Sequence, residues 1–296
     1  MGNAGHRHVS ECDQSESWQQ CSVGMGSSSV TSAILDNQDG SYSMQYTGTV
    51  AGIYSVSIII NSAHILGSPF SSKVLAAAPS SGASFLTGSA LLTMTAGKGS
   101  TLFMNVRDSF GNMYDRQLFN LNARFGSQDL SSGVAYTSDG TYETVFSVTF
   151  SSTYSLSVAF SPDPLSAAAP VGKPISVDVL PALMDPSNTL TSGPGLNTFR
   201  AGESLPVYLS AYDAFGNIRS SSLYVDRFAL SFSSSSNQYS AEAVASVDGS
   251  YVYHHASTIA GNYIIGISNQ ATAVAIARSP FLVQVLPGAA SHEKSL

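Results

Sequence analysis

A four-residue word recurs three times along the chain, and its spacing limits the fold more than any other feature. The word is Asp-Gly followed by Ser or Thr and then Tyr, and its aspartates and glycines are Asp39, Gly40, Asp139, Gly140, Asp248 and Gly249. Self-similarity at a regular interval indicates a tandem array of structural repeats. Because the interval is about 100 residues, which is the size of one small domain, the sequence predicts one compact repeat per word.

Three further words recur in the same order around the Asp-Gly word. One of them is a tyrosine, preceded by Ala-Gly-Xaa in two of its three copies: Tyr54, Tyr154 and Tyr263. The second is Ser-Pro-Phe, at residues 68–70 and 279–281. The third is Asp-Xaa-Phe-Gly-Asn, at residues 108–112 and 213–217, with the glycines Gly111 and Gly216. The middle repeat departs from the pattern, because Ala-Gly is missing before its tyrosine and Lys-Pro-Ile replaces Ser-Pro-Phe at residues 173–175.

Each word has a structural interpretation. Asp-Gly is a turn signal, since glycine enters left-handed backbone space without a Cβ clash, and Gly-Asn is expected to close the bend after the second strand of a repeat. The recurring tyrosine is placed where immunoglobulin-like sandwiches have a corner tyrosine, whose hydroxyl bonds back to the preceding loop. Residues that fall on one face with the two-residue period of a strand are Thr144, Phe146, Val148 and Phe150, then Leu156, Val158 and Phe160, and then Leu205, Val207, Leu209 and Ala211.

Composition agrees with a β-rich chain and excludes several classes of function. Hydrophobic residues make up 43% of the chain and charged residues only 10%, against about 25% charged in ordinary domains, so Ser, Thr and Gly must solvate the strand surfaces. The formal net charge of −7 gives no overall positive field for nucleic acid or acidic lipids. No apolar run approaches the roughly 20 residues of a membrane helix. Cys12 and Cys21 precede the repeated region, so disulfides are not expected to stabilise the repeats.

Taken in this order, the four words resemble the filamin-type immunoglobulin-like repeat over roughly residues 30–287. The resemblance implies an all-β fold of tandem immunoglobulin-like (filamin-type) β-sandwich repeats, the first one incomplete. The expected division is a disordered segment at 1–29, a partial repeat of the last three strands at 30–75, complete repeats at 76–181 and 182–287, and a tail at 288–296. Because three strands would leave an unpaired sheet edge, we expect the chain to be a fragment of a longer array.

The resemblance also implies a function, namely a non-catalytic scaffold for protein–protein interaction associated with the actin cytoskeleton. In that family, partner peptides bind by strand addition, in which main-chain hydrogen bonds to a sheet edge supply the affinity. The corresponding strands are expected near residues 119–125 and 134–137, and near 228–232 and 239–244. The candidate partner-binding side chains are Leu121, Ala123, Phe125, Leu230 and Phe232. The alternative is that these five are ordinary core residues, because alternate side chains of a sandwich strand face inward.

Two cellular settings remain open. The scaffold interpretation expects actin-associated proteins or the tails of membrane proteins as partners, whereas an extracellular or cell-surface adhesion module would bind cell-surface proteins. The chain contains no Asn-Xaa-Ser/Thr acceptor for glycosylation, which favours the cytoplasm. A surface poor in charge, however, is unusual for a cytoskeletal rod. No calponin-homology-like segment is visible, so direct actin binding is not predicted.

The sequence predicts neither an enzyme nor a cofactor site. It has no Gly-Xaa-Ser-Xaa-Gly nucleophile motif. Neighbours on a strand point to opposite faces, so of His254 and His255 one is expected in solvent and the other packed. Four residues could in principle bind zinc but lack the spacing of a regular zinc finger: His6, His8, Cys12 and Cys21. A disordered tail is the favoured interpretation of this segment. Residues 36–40 superficially suggest a calcium loop but lack its alternating ligands, so they are interpreted as a turn.

Overall fold

The computed structural model describes residues 19–24, 30–60, 63–116, 118–138, 140–161, 163–235, 238–246 and 250–289. These residues form β-strands and four short 3-10 helices, which are Ser89–Leu91, Ser131–Gly133, Pro186–Asn188 and Pro194–Leu196. Over the same ranges, no helix has the length and apolar character needed to cross a membrane. Six of the positions singled out in the sequence lie outside the described residues: His6, His8, Cys12, Asp139, Asp248 and Gly249.

The first repeat contributes six strands. They are β1 (Gln19–Gly24), β2 (Val30–Asp36), β3 (Tyr42–Gly48), β4 (Gly52–Ile60), β5 (Ala63–His64) and β6 (Phe70–Val74). β4 pairs with β1, β5 and β6 in one sheet, and β2 pairs with β3 in another. β1 lies in the segment for which the sequence predicted disorder, so that part of the prediction was wrong. It is a strand because its backbone pairs with β4 from Gln19↔Ile60 to Gly24↔Ser55, a distant partner that local periodicity does not reveal.

The second repeat contributes ten strands in two sheets. They are β7 (Pro79–Thr87), β8 (Met94–Thr95), β9 (Ser100–Asp108), β10 (Phe119–Phe125), β11 (Gln128–Asp129), β12 (Ala135–Ser138), β13 (Thr141–Phe146), β14 (Ser152–Ser161), β15 (Ala169–Pro170) and β16 (Ile175–Leu180). One sheet has the order β12-β13-β9-β7. The other has the order β11-β10-β14-β16-β8, with β15 paired to β14.

The third repeat has the same arrangement. Its strands are β17 (Leu190–Ser192), β18 (Phe199–Arg200), β19 (Ser204–Ser210), β20 (Phe228–Ser233), β21 (Gln238–Glu242), β22 (Val244–Ala245), β23 (Tyr251–Ala256), β24 (Gly261–Asn269) and β25 (Phe281–Leu286). The sheets run β17-β19-β23-β22 and β18-β25-β24-β20-β21. In both repeats a two-residue strand, β8 or β18, runs parallel to the last strand. The two repeats therefore have one topology, that of the predicted tandem sandwich.

Side chains that alternate along the strands fill the interior of the third repeat. Its buried members include Val207, Leu209, Phe228, Leu230, Phe232, Tyr263, Ile265, Ile267, Val283 and Val285. The rings of Phe232 and Tyr263 stack with their centroids 4.4 Å apart. In the second repeat, the rings of Phe125 and Phe146 meet at 5.1 Å across the two sheets. The predicted two-residue period is thus confirmed, because inward positions from both sheets share one core.

Phe150 is the exception to the predicted alternation. The sequence placed it on the inward face of a continuing strand, but β13 ends at Phe146 and the Phe150 side chain is 67% exposed. The loop leaves the sheet because its backbone has other partners: the carbonyl of Phe150 accepts the Tyr154 hydroxyl at 2.9 Å. The strand prediction was therefore wrong beyond residue 146.

The chain forms two compact units, each assembled from several segments. One comprises Met1–Leu92, Ser100–Phe146 and Ser155–Ser176, and the other comprises Thr93–Gly99, Ser147–Tyr154 and Val177–Leu296. The second unit thus includes two short segments, Thr93–Gly99 and Ser147–Tyr154, that precede the third repeat by many residues. The repeat boundaries expected at 76–181 and 182–287 stay predictions.

Candidate interaction surface

The side chains predicted to bind partners lie mostly inside the sandwiches. Ala123 and Phe125 are 1% and 0% exposed, and Leu230 and Phe232 are 2% and 1% exposed. Leu121 is half-buried. This placement agrees with the alternative interpretation of these residues as core.

The backbone edge of β20 is covered within the third repeat. β21 pairs with it from Ala229↔Glu242 to Ser233↔Gln238, and β24 pairs with its other side. β21 is the last strand of that sheet, and Tyr239 and Ser240 on it are exposed. On this side of the sheet the edge is therefore β21 rather than β20.

The edge of β10 in the second repeat is partly covered. β11 pairs with Arg124 and Phe125. The amide of Ala123 donates to Ser131 Oγ at 3.0 Å, and its carbonyl accepts the amide of Leu130 at 2.8 Å. The opposite sheet ends in β7 and β12, and the four residues of β12 are all exposed.

The recurring tyrosines occupy the corners that the sequence predicts for them. The hydroxyls of Tyr54, Tyr154 and Tyr263 each donate to the carbonyl four residues earlier, at 2.9 Å for Tyr154 and 3.0 Å for Tyr263. Tyr263 also bonds to Ser257 Oγ at 2.9 Å. Each bond fixes the loop that enters the penultimate strand, so the backbone of this loop has the same tether in all three repeats.

A second set of tyrosines, at the end of the Asp-Gly-Ser/Thr-Tyr word, has a role that the sequence did not reveal. The Tyr142 hydroxyl accepts the amide of Leu118 and donates to the carbonyl of Arg116, both at 2.8 Å. Tyr251 bridges the loop before β20 with the same pair of bonds, at 2.9 and 2.8 Å. Burial raises the pKa of Tyr142 from 10.0 to about 12, which extends to higher pH the range in which the hydroxyl stays protonated and can donate.

The Asp-Xaa-Phe-Gly-Asn word forms the bend predicted for it. In the second repeat the amide of Gly111 donates to the carbonyl of Asp108 at 3.0 Å, and Gly111 has a φ of +86° that favours glycine. The Asp108 carboxylate accepts the amides of Phe110, Asn112 and Ala77 at 2.8–2.9 Å. Burial raises the pKa of Asp108, but the hydrogen bonds from Asn112 and from the Ala77 amide outweigh it, so the pKa is held below 3.8.

The asparagine of this word makes a contact that sequence reasoning missed. Asn112 Nδ2 donates to the carbonyl of Thr49 at 2.8 Å, and Asn112 Oδ1 accepts the amide of Ala51 at 2.8 Å. Asn112 Nδ2 also donates to Asp108 Oδ2 at 2.7 Å, which orients the side chain. We call this two-bond contact the clasp. It holds the loop before the corner tyrosine of the preceding repeat.

The second unit contains the same clasp. Asn217 Nδ2 donates to the carbonyl of Thr149 at 2.7 Å, and Asn217 Oδ1 accepts the amide of Ser151 at 2.8 Å. Asp213 orients Asn217 at 2.8 Å and accepts the amide of Ala182 at 2.8 Å. This clasp explains why loop residues 147–154 belong to the second unit. The recurrence of Asn after Gly was the available signal, but a bend alone accounts for it, so the sequence gives no hint of the partner.

The adjacent histidines separate as predicted. His254 is exposed, whereas His255 is 3% exposed, and its Nε2 lies 2.7 Å from the carbonyl oxygen of Gly195. The ring of His255 packs against Phe199 and Phe232 at 5.1 and 4.9 Å. Burial lowers the pKa of His255, so this histidine is a neutral residue of the core.

The turn at residues 36–40 uses its own polar side chains. Asp39 Oδ1 accepts the amide of Ser41 at 2.9 Å and the Ser41 hydroxyl at 2.6 Å, and Asn37 Nδ2 donates to Ser41 Oγ at 3.0 Å. These bonds are those of a turn, which the sequence predicted. Among the residues that the structure describes, no group of three or more His, Cys, Asp or Glu side chains is placed to hold a metal ion.

An open groove of about 480 Å³ lies beside the loop that leads to β20. Apolar Leu183 and Val225 line it together with Asp226, Arg227 and Thr272. The Asp226 carboxylate is paired with Arg219 at 2.9 Å. The groove therefore offers a mixed surface and no free carboxylate for acid–base chemistry at that position.

Residues 3–71 of this chain match the family model of the Filamin/ABP280 repeat. Among solved structures, the chain is similar to FdeC, an Escherichia coli adhesin, with a TM-score of 0.60 and 18% identity over 91% of this chain and 86% of that chain. It is also similar to InvD of Yersinia pseudotuberculosis, with a TM-score of 0.47 and 14% identity over 90% of this chain and 92% of that chain. The likeness to FdeC confirms the predicted fold. These similarities do not support the predicted association with the actin cytoskeleton.

Proposed function

We propose that this chain is a non-catalytic protein-interaction module that mediates adhesion at a cell surface; the Filamin/ABP280 repeat match at residues 3–71 and the fold shared with FdeC support the proposal. The observation that carries the proposal is the tandem order of the repeats. The likeness to the Escherichia coli adhesin FdeC extends over 91% of this chain rather than over one repeat. Cell-surface proteins are the proposed partners.

The proposed mode of binding is strand addition at the free edge of β21. An extended partner segment needs a row of main-chain donors and acceptors at the end of a sheet, and β21 ends the larger sheet of the third repeat. Tyr239 lies on this edge and is 53% exposed. A partly exposed tyrosine adds contact area at low cost in side-chain entropy, so Tyr239 is the proposed side-chain contact for an added strand.

A cell-binding assay with matched variants tests this proposal. We expect the labelled full chain to bind intact cells saturably, and Tyr239→Lys to weaken binding about tenfold or more, because lysine on an edge strand opposes pairing with another strand. Ile264→Lys is the control, since Ile264 is 44% exposed on β24 and is paired on both sides, with Ser233 of β20 and Leu282 of β25. This variant should bind as the natural chain does. Equal loss in both variants would show that charge, not the edge, controls binding.

A further inference from the structure

Two loops of the chain are each held by an asparagine side chain, and the hydrogen bonds are the same in both. We define an acceptor triplet as three consecutive residues, the last of which lies three positions before a corner tyrosine. The triplets are residues 49–51, 149–151 and 258–260. Asn112 of the second repeat holds the first triplet, and Asn217 of the third repeat holds the second, with all four bonds at 2.7–2.8 Å. Each clasp lies inside one compact unit. The triplet of one repeat is thus the surface that the next repeat in sequence binds.

The third acceptor triplet has the same anchoring but is exposed. The Tyr263 hydroxyl donates to the carbonyl of Ile259 at 3.0 Å, as Tyr154 does to Phe150. Thr258, Ile259 and Ala260 are all exposed. Within the described part of the chain, the Thr258 carbonyl and the Ala260 amide have no hydrogen-bond partner. These two groups correspond to those that Asn112 and Asn217 engage.

A glycine beside the triplet supports the equivalence. The amide of Gly97 donates to the carbonyl of Val148, and the amide of Gly202 donates to that of Ser257, both at 2.8 Å. The ring of Phe215, from the clasping word, covers Gly97 so closely that a Cβ there would lie 2.3 Å from it. Gly202 has no atom within 4 Å of the same position. The position that the phenylalanine of such a word would cover is therefore open in the third repeat.

A backbone amide between successive repeats takes part in each joint, through a bond to the aspartate of the Asp-Xaa-Phe-Gly-Asn word. Asp108 accepts the amide of Ala77, and Asp213 accepts the amide of Ala182, with a sequence separation of 31 residues in both cases. Ala182 follows the Leu-Pro pair at the end of β16, and Gly288 follows the Leu-Pro pair at the end of β25. Gly288 is exposed, and its amide has no partner among the described residues.

We propose that Thr258, Ala260, Gly202 and Gly288 form a docking surface for a further immunoglobulin-like repeat that carries a free Asp-Xaa-Phe-Gly-Asn word. The asparagine of the word bonds to Thr258 and Ala260, the aspartate accepts the Gly288 amide, and the phenylalanine covers Gly202. A second copy of this chain is not the occupant, because its own two words are already engaged. The proposal rests on the two clasps and is independent of adhesion.

The surface can be tested by lengthening the full chain after Gly288 with a second copy of residues 183–289. The copied Asp213 then follows Gly288 by 31 residues, which is the separation of Ala77 from Asp108 and of Ala182 from Asp213. We expect hydrogen–deuterium exchange of the Ala260 and Gly288 amides to slow about tenfold or more relative to the natural chain, because a hydrogen-bonded amide must open before it exchanges. Asn217→Ala in the appended copy should return Ala260 to the rate of the natural chain. The amides of Ala51 and Ser151 serve as internal controls and should not change.

Three results would overturn the proposal. Unchanged exchange at Ala260, with the appended copy folded, would show that the surface does not engage the word. A copy that folds after Ala182 but not after Gly288 would show that the two joints are not equivalent. Protection of Ala260 that rises with concentration of the natural chain would identify a second copy as the occupant.

Discussion

At the scale of single residues, Asn112 and Asn217 use both halves of the side-chain amide. An asparagine presents a donor and an acceptor side by side, and here the pair meets a carbonyl and an amide two residues apart in one loop. Aspartate could not make both bonds when ionised, because it has no donor. The neighbouring Asp108 holds the amide in this orientation at 2.7 Å. The clasp therefore depends on the identity of the residue and not on polarity alone.

We predict that Asn112→Ala lowers the free energy of unfolding by about 1–3 kcal/mol. The loss follows because the Thr49 carbonyl and the Ala51 amide are left without their partners, and an unsatisfied polar group that stays desolvated costs an amount of this size. Chemical denaturation measures the change. Asn122→Ala, at an exposed position on β10, is the control and should change stability by less than about 0.5 kcal/mol. Equal effects of the two substitutions would contradict the role of the clasp.

We also predict that His255 makes the stability of the third repeat depend on pH. Burial lowers its pKa in the folded state from 6.5, so the unfolded state binds the proton more readily and acid favours unfolding. Stability should fall as the pH drops below 6.5, by at most about 1.4 kcal/mol per pH unit. His255→Leu should remove this dependence, whereas His254→Leu, at the exposed neighbouring position, should retain it. Urea melts between pH 7.5 and 5 distinguish the two.

At the scale of elements, the strands and turns were predictable because they follow from local patterns. The inward residues of β14 and β19 alternate as the sequence indicates, and the bend at Gly111 and the corner at Tyr263 follow from their own words. β1 and the covering of β20 by β21 were not predictable, since both depend on pairing between segments that local periodicity does not connect. For the same reason the partner of Asn112 was missed: the loop it binds lies more than 60 residues earlier.

Gly97 and Gly202 allow the contact with Phe215 to be measured. Both have positive φ, +75° and +91°, so alanine at either position should cost about 1–2 kcal/mol from backbone strain alone. We predict that Gly97→Ala costs about 1 kcal/mol more than Gly202→Ala, because the Phe215 ring must move away. In a Phe215→Ala background the two substitutions should cost the same. A difference that persists without the ring would contradict this explanation.

At the scale of the whole molecule, the third repeat supplies both parts of a joint. Its Asp-Xaa-Phe-Gly-Asn word binds the acceptor triplet of the repeat before it, and its own triplet lies at the start of its penultimate strand. Because the two parts stand on the same sandwich, the joint can recur with every repeat. The candidate site was harder to predict from the sequence than the fold. The five predicted binding residues were chosen from the alternating pattern of their strands, and four of them face the core.

We propose that this chain acts at a cell surface and not as an actin scaffold. The measurement is binding of the labelled full chain to intact cells and, in parallel, its co-sedimentation with actin filaments in the lysate of the same cells. We predict saturable binding to intact cells that protease treatment of the cell surface abolishes, with no enrichment on actin filaments. Co-sedimentation with filaments, together with no binding to intact cells, would contradict the claim.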